Sequence, residues 1–99
     1  ATYEQTVQNA FREVSDALAG RATLGEQLRA QTALAKAAQT TYDLADLRYR
    51  NGAASYLDVL DAQRSLFSAQ QGVVQVQALQ MQNLMTLYKV LGGGWADAR

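Results

Sequence analysis

Apolar positions recur along the first half of the chain with a period near seven. Stepping from Val7 gives Val7, Val14, Arg21, Leu28, Ala35, Tyr42 and Tyr49, and a companion row contains Ala10, Ala17, Leu24, Gln31, Ala38 and Ala45. Such a/d spacing predicts an amphipathic helix that packs against another helix, interrupted in polarity at Arg21 and Gln31. The second half repeats the pattern through Leu60, Phe67, Val74, Met81 and Tyr88. A second stripe there holds Val59, Leu66, Val73, Gln80 and Leu87, and a third holds Ala62, Ala69, Val76, Asn83 and Val90. Three adjacent stripes make an apolar face wider than one coiled-coil seam, so this helix needs more than one neighbour. Stripes such as Val59, Leu66, Val73 and Leu87 are not all expected to face the first helix.

Between the halves stands Arg50-Asn51-Gly52-Ala53-Ala54-Ser55. Asn-Gly after a periodic run is a helix stop, because Gly adopts the left-handed conformation without a Cβ penalty. Ser55, followed three residues later by Asp58, reads as an N-cap with a capping-box-like partner. Asp58 and Asp61 suit the positive end of the new helix, and Arg48 and Arg50 the negative end of the old one. A turn this short makes the helices antiparallel. The reading is therefore all-α: one helical hairpin over 1–99, with a helix at about 3–49, a tip turn at 50–55, a helix at about 56–91 and a Gly-rich tail at 92–99. The rise per residue makes the helices roughly 70 Å and 54 Å long. Gly20 and Gly25 weaken the first helix and allow a bend, though no Pro compels one.

Composition narrows the chemistry. The 99 residues include no Cys, His or Pro, and nine basic side chains balance nine acidic ones. Without thiolate or imidazole there is no ordinary ligand set for zinc, copper, haem or iron–sulfur clusters, and no Cys-His or Ser-His pair for nucleophilic catalysis. No cofactor, no bound metal and no enzymatic activity are expected, since the carboxylate pairs Asp58 with Asp61 and Glu13 with Asp16 have no base, nucleophile or pocket beside them. Zero formal charge removes the basic footprint of a nucleic-acid binder. Ser65 to Tyr88 carries no charge, yet Gln70, Gln71, Gln75, Gln77, Gln80, Gln82 and Asn83 keep it too polar to span a bilayer. The N-terminus shows no signal-peptide pattern, which suggests a processed or excised chain if it is secreted.

The run Tyr42 to Leu66, with its Tyr-x-x-Gly at Tyr49 to Gly52 and the string Ser-Tyr-Leu-Asp-Val-Leu-Asp-Ala-Gln from Ser55 to Gln63, closely resembles the last helical hairpin of the TolC family of outer-membrane efflux channels, above all its OprM-like branch. The likeness extends to Tyr3-Glu4-Gln5-Thr6-Val7 and to Leu87 through Trp95, covering essentially the whole chain. Family members are several times longer, carry two such hairpins and β-strands, and trimerise into a β-barrel continued by a periplasmic α-barrel. The resemblance implies that this chain is a periplasmic piece of such a protein, each helix touching neighbours on both sides and lining a water-filled duct.

It also implies roles for residues. Tyr49, Asp58 and Asp61 fall where the family narrows its tip, the two Asp matching acidic aperture rings. Asn51, Gly52, Ala53, Ala54, Ser55, Tyr56 and Leu57 fall where a periplasmic adaptor protein docks, and through it an inner-membrane pump. Some relatives place a basic residue where Ala54 stands, so a lock on the aperture here falls to Arg48, Arg50 or Arg64. Other readings stand beside these: acidic residues belong in any first helical turn, and Tyr42, Tyr49 and Tyr56 suit ordinary packing near a hairpin end. A self-assembling structural hairpin with no transport role is the second functional reading.

Overall fold

A computed structural model describes the backbone of residues 2–97 and the side-chain surroundings of residues 3–92. It contains two helices, α1 at Thr2–Arg50 and α2 at Tyr56–Asp97, and no strand among the described residues. α1 passes through Gly20 and Gly25 without a break. α2 runs on past residue 91, where the Gly-rich tail was expected to begin, and residues 98 and 99 of that tail lie outside the described residues. Glycine costs a helix about 1 kcal/mol but does not forbid it. The residue that does stop a helix is Gly52, the only glycine with positive φ, at 75°, among the described residues.

Contacts divide the chain into two units, residues 27–77 and residues 1–26 with 78–99. In the first, α1 and α2 leave the turn antiparallel and meet along a seam that mixes alanines with larger side chains. From α1 come Leu28, Gln31, Ala35, Ala38, Tyr42 and Ala45, all half-buried. From α2 come Val59, Ala62, Ala69 and Val76, all buried, with Leu66, Gly72 and Val73 half-buried. Gly72 has a specific partner: a Cβ built there would lie 3.1 Å from the Gln31 carboxamide carbon. The amide that breaks the α1 heptad thus sits where α2 has no side chain.

In the other unit, Val14, Ala17, Gly20 and Leu24 of α1 are enclosed along with Gln80, Asn83, Leu87 and Val90 of α2. Asn83 donates from Nδ2 to the Ala17 carbonyl at 3.1 Å, and the same nitrogen lies 3.2 Å from where a Gly20 Cβ would stand. Arg21, the other polar break in the heptad, stays exposed. Thr23, Thr40 and Thr41 turn their hydroxyls back to the carbonyls of Ala19, Lys36 and Ala37, satisfying themselves within α1.

The seam corrects the assignment of stripes. Val59, Leu66, Val73 and Leu87 do all face α1, together with the Ala62 row. The stripe left uncovered is Leu60, Phe67, Val74, Met81 and Tyr88, exposed at 38%, 63%, 61%, 60% and 81%. Side-chain size contributes to this, since Ala35, Ala38 and Ala45 of α1 leave room opposite Val59, Leu66 and Val73, while Phe67, Met81 and Tyr88 are bulkier. No described side chain of any size is fully buried. α2 therefore still carries an apolar face without a neighbour, and a hairpin alone gives it no closed core.

Gly25 is the contrasting glycine, with nothing within 4 Å of a built Cβ. Gly25→Ala should raise stability by about 0.5–1 kcal/mol, seen as a higher thermal midpoint by circular dichroism. A fall would mean that the site is crowded.

Candidate functional site: the hairpin tip and its acidic groove

The tip is built by backbone bonds. Asn51 N–H continues the helix to the Leu47 carbonyl at 3.1 Å, Gly52 N–H reaches Tyr49 at 3.0 Å, and Ala53 N–H reaches Arg48 at 2.8 Å. The last two, with Gly52 left-handed at C′, form a Schellman motif that satisfies the final carbonyls of α1. A side chain at position 52 has open space around it, so its cost is purely conformational. Gly52→Ala should lose about 1–2 kcal/mol, read as a lower denaturation midpoint, and no loss would mean that the turn adopts another conformation.

On the far side Asp58 N–H bonds the Ser55 carbonyl at 3.2 Å, so α2 opens with a backbone turn. Among the described residues the Ser55 hydroxyl accepts no hydrogen bond from the first amides of α2. The rings of Tyr49 and Tyr56 bridge the two helix ends, with centroids 5.3 Å apart and planes tilted by 54°. Such a pair contributes about 0.5–1.5 kcal/mol beyond its buried area. Both remain substantially exposed, at 42% and 55%, and Leu57 beside them is 69% exposed. Tyr56, assigned to docking, thus also holds Tyr49 in place. The aromatic spacing across a tight turn was the available signal.

Asp58 and Asp61 are both exposed and border one open groove of about 340 Å³. Thr41, Ala45, Arg48, Ala54, Ala62 and Ser65 complete its lining. The three arginines separate here. Arg48 shares the groove with the two carboxylates, Arg50 forms an ion pair with Asp46 one turn back on α1, and Arg64 lines a different groove with Gln31, Leu34 and Gln75. That ion pair is the only one among the described residues, so neither Asp58 nor Asp61 is neutralised by a direct partner. Asp46 was missed in the sequence, although Asp and Arg four residues apart on a helix are a recognisable pair. Being exposed at the arginine, it contributes only about 0.3–0.5 kcal/mol.

The arrangement has no nucleophile–base pair, and no group of acidic residues among those described is placed to hold a metal ion. What it offers is two carboxylates without a direct ion-pair partner, and one arginine in the same groove, at the end of a helical hairpin. No described helix is long and apolar enough to cross a membrane.

Comparison with known proteins gives a concordant result. The chain is 55% identical over 97 residues to a toluene efflux pump outer membrane protein, TtgC, of Pseudomonas putida, covering 98% of this chain and 20% of that protein. It is 48% identical over 93 residues to the cation efflux system protein CusC of Escherichia coli O157:H7, covering 94% of this chain and 20% of the relative. A solved structure of CusC, from work on its folding and transmembrane channel formation, matches with a TM-score of 0.89 and 46% identity over 91% of this chain and 26% of that one. This chain thus spans about a fifth of the length of the curated relatives it matches. Residues 1–93 match the family described as outer membrane efflux protein, which is not a family of enzymes, and the chain belongs to that family.

Proposed function

We propose that this chain forms part of the periplasmic wall and the tip of an outer-membrane efflux duct, in a longer protein that assembles as a trimer. The observation that carries the reading is the α2 surface. Its stripe of Leu60, Phe67, Val74, Met81 and Tyr88 is left without a neighbour, on a helix whose charge-free segment is rich in amides. A helix with a seam on one side, an apolar stripe on another and neutral polar groups between them suits a wall that contacts neighbours and still faces water. Relatives are named for the efflux of toluene, antibiotics, solvents and cations. On this reading the chain lines a passive path for small molecules, while a partner pump provides the energy.

At the tip, Tyr49, Asp58 and Asp61 form the aperture and Arg48 is the counter-charge nearest them. Three copies would converge carboxylates on one axis and favour cations there. Asn51 through Leu57 present the surface on which a periplasmic adaptor docks. Arg50 and Arg64 act elsewhere, the first bracing α1 and the second facing the seam groove.

The test is complementation. A strain lacking the full-length protein should accumulate a fluorescent efflux substrate, regain export with the unaltered gene, and fail to regain it when Asn51 to Leu57 are replaced by a Gly/Ser turn of equal length. Full export with the replaced tip, with the protein present at normal level in the outer membrane, would remove the docking role. Export unaffected by loss of the whole protein would leave a structural hairpin with no transport role.

A further inference from the structure

α2 has apolar side chains on two faces, and hydrophobicity alone does not choose between them. The outward stripe carries Leu60, Phe67, Val74, Met81 and Tyr88, whereas the face in the seam carries Val59, Leu66, Val73, Leu87 and the Ala62 row together with the amides Gln80 and Asn83. Either face buries apolar area when turned toward α1, so area by itself does not set the rotation of the helix. Something more specific does.

We infer that two amide–glycine pairs make that choice, Gln31 with Gly72 in one unit and Asn83 with Gly20 in the other. In each, a long or branched amide on one helix occupies the space left by a glycine on its partner. Gln31 lies over Gly72, its carboxamide carbon 3.1 Å from a built Cβ, and Asn83 Nδ2 lies 3.2 Å from the Gly20 position while donating to Ala17. Turning α2 by one residue toward its larger stripe removes both glycines from their amides. Gln31 would then meet a side chain, and Asn83 would lose its carbonyl. Losing the Asn83 hydrogen bond costs about 0.5–1.5 kcal/mol, and a side chain in place of Gly72 forces the half-buried Gln31 amide out of its position. Polar groups in a helical seam fix orientation in this way at some cost to stability. The consequence is that the large stripe is held outward for a further helix.

Exchange of the pair is the test, because the molecule already contains both polarities, amide on α1 with glycine on α2 and the reverse. These 99 residues contain no Cys, so Ala69→Cys, at a position only 6% exposed, reports the seam by its alkylation rate in a full-length protein from which any cysteine elsewhere has been removed. Gly72→Gln sets amide against amide while improving helix propensity, so a looser seam cannot be blamed on a weaker helix. Alkylation is expected to rise about tenfold or more, with helix content retained. Gln31→Gly combined with Gly72→Gln restores the pairing with no net change in helix propensity and should return the rate to its starting value. An unchanged rate in Gly72→Gln overturns the inference. So does a double variant that stays fast or loses its helix content, which also decides the matter if Gly72→Gln alone fails to fold.

Discussion

Exchanging Asp58 and Asp61 together for Asn in the full-length protein is expected to weaken trivalent-cation block of the open duct about a hundredfold, while leaving the hairpin folded. Both carboxylates are exposed on one groove and neither has an ion-pair partner, so their field is available to a passing ion. In bulk water each carboxylate at roughly 8 Å attracts a trivalent cation by about 1.5 kcal/mol before salt screening. Summed over a trimer and then screened, about 3 kcal/mol remains, which is the hundredfold. The folding cost is smaller, about 0.3–1 kcal/mol per residue, because α2 starts with a backbone bond at Ser55 that Asn does not disturb. Single-channel conductance in planar bilayers reads the effect. Unchanged block and unchanged cation selectivity would make the two acids mere helix-start residues, and would move the constriction to Tyr49 and Arg48.

The outward stripe should be as consequential for assembly as the acids are for conduction. Phe67→Gln, Val74→Gln and Met81→Gln together extend the amide surface already present on α2 without adding charge or a poor helix former. These side chains are 60–63% exposed, so a neighbour burying what remains gains about 1–2 kcal/mol from each. Losing all three costs about 3–5 kcal/mol, an association weaker by about a hundredfold to a few thousandfold. Sedimentation should show smaller species with helix content preserved, because none of the three lines the seam. A wild-type chain that stays monomeric at every concentration, with a melting point independent of concentration, would defeat the argument.

How far the sequence could be read depended on whether the deciding contact was local. The α1 heptad from Val14 to Ala45 reappears as covered positions, Arg21 excepted, because its period requires nothing but a partner on one side. Asn51-Gly52 marked the stop because left-handed φ is a property of one residue. The stripes of α2 were different, since all three are apolar and period cannot rank them. Their order came from alanines and two glycines on opposing helices, a matter of shape that appears only once the helices are paired. At the tip, Arg48, Arg50 and Arg64 were equivalent as charges near a turn. Asp46 claimed Arg50, and helix rotation carried Arg64 to another groove. The assignment of Ser55 as a side-chain cap missed for a related reason, because its carbonyl made the bond instead.

The Schellman turn has a consequence for how the tip meets anything that touches it. Loops usually exchange their amide hydrogens quickly and are the first places that proteases cut. Here the amides of Asn51, Gly52, Ala53 and Asp58 each already donate to a carbonyl, and two tyrosine rings clasp the ends. The amides of Asn51, Gly52 and Ala53 should therefore exchange more slowly, and the turn be nicked less readily, than their position implies. A surface so prepared loses little entropy when covered, so whatever binds it meets a shape that is already set.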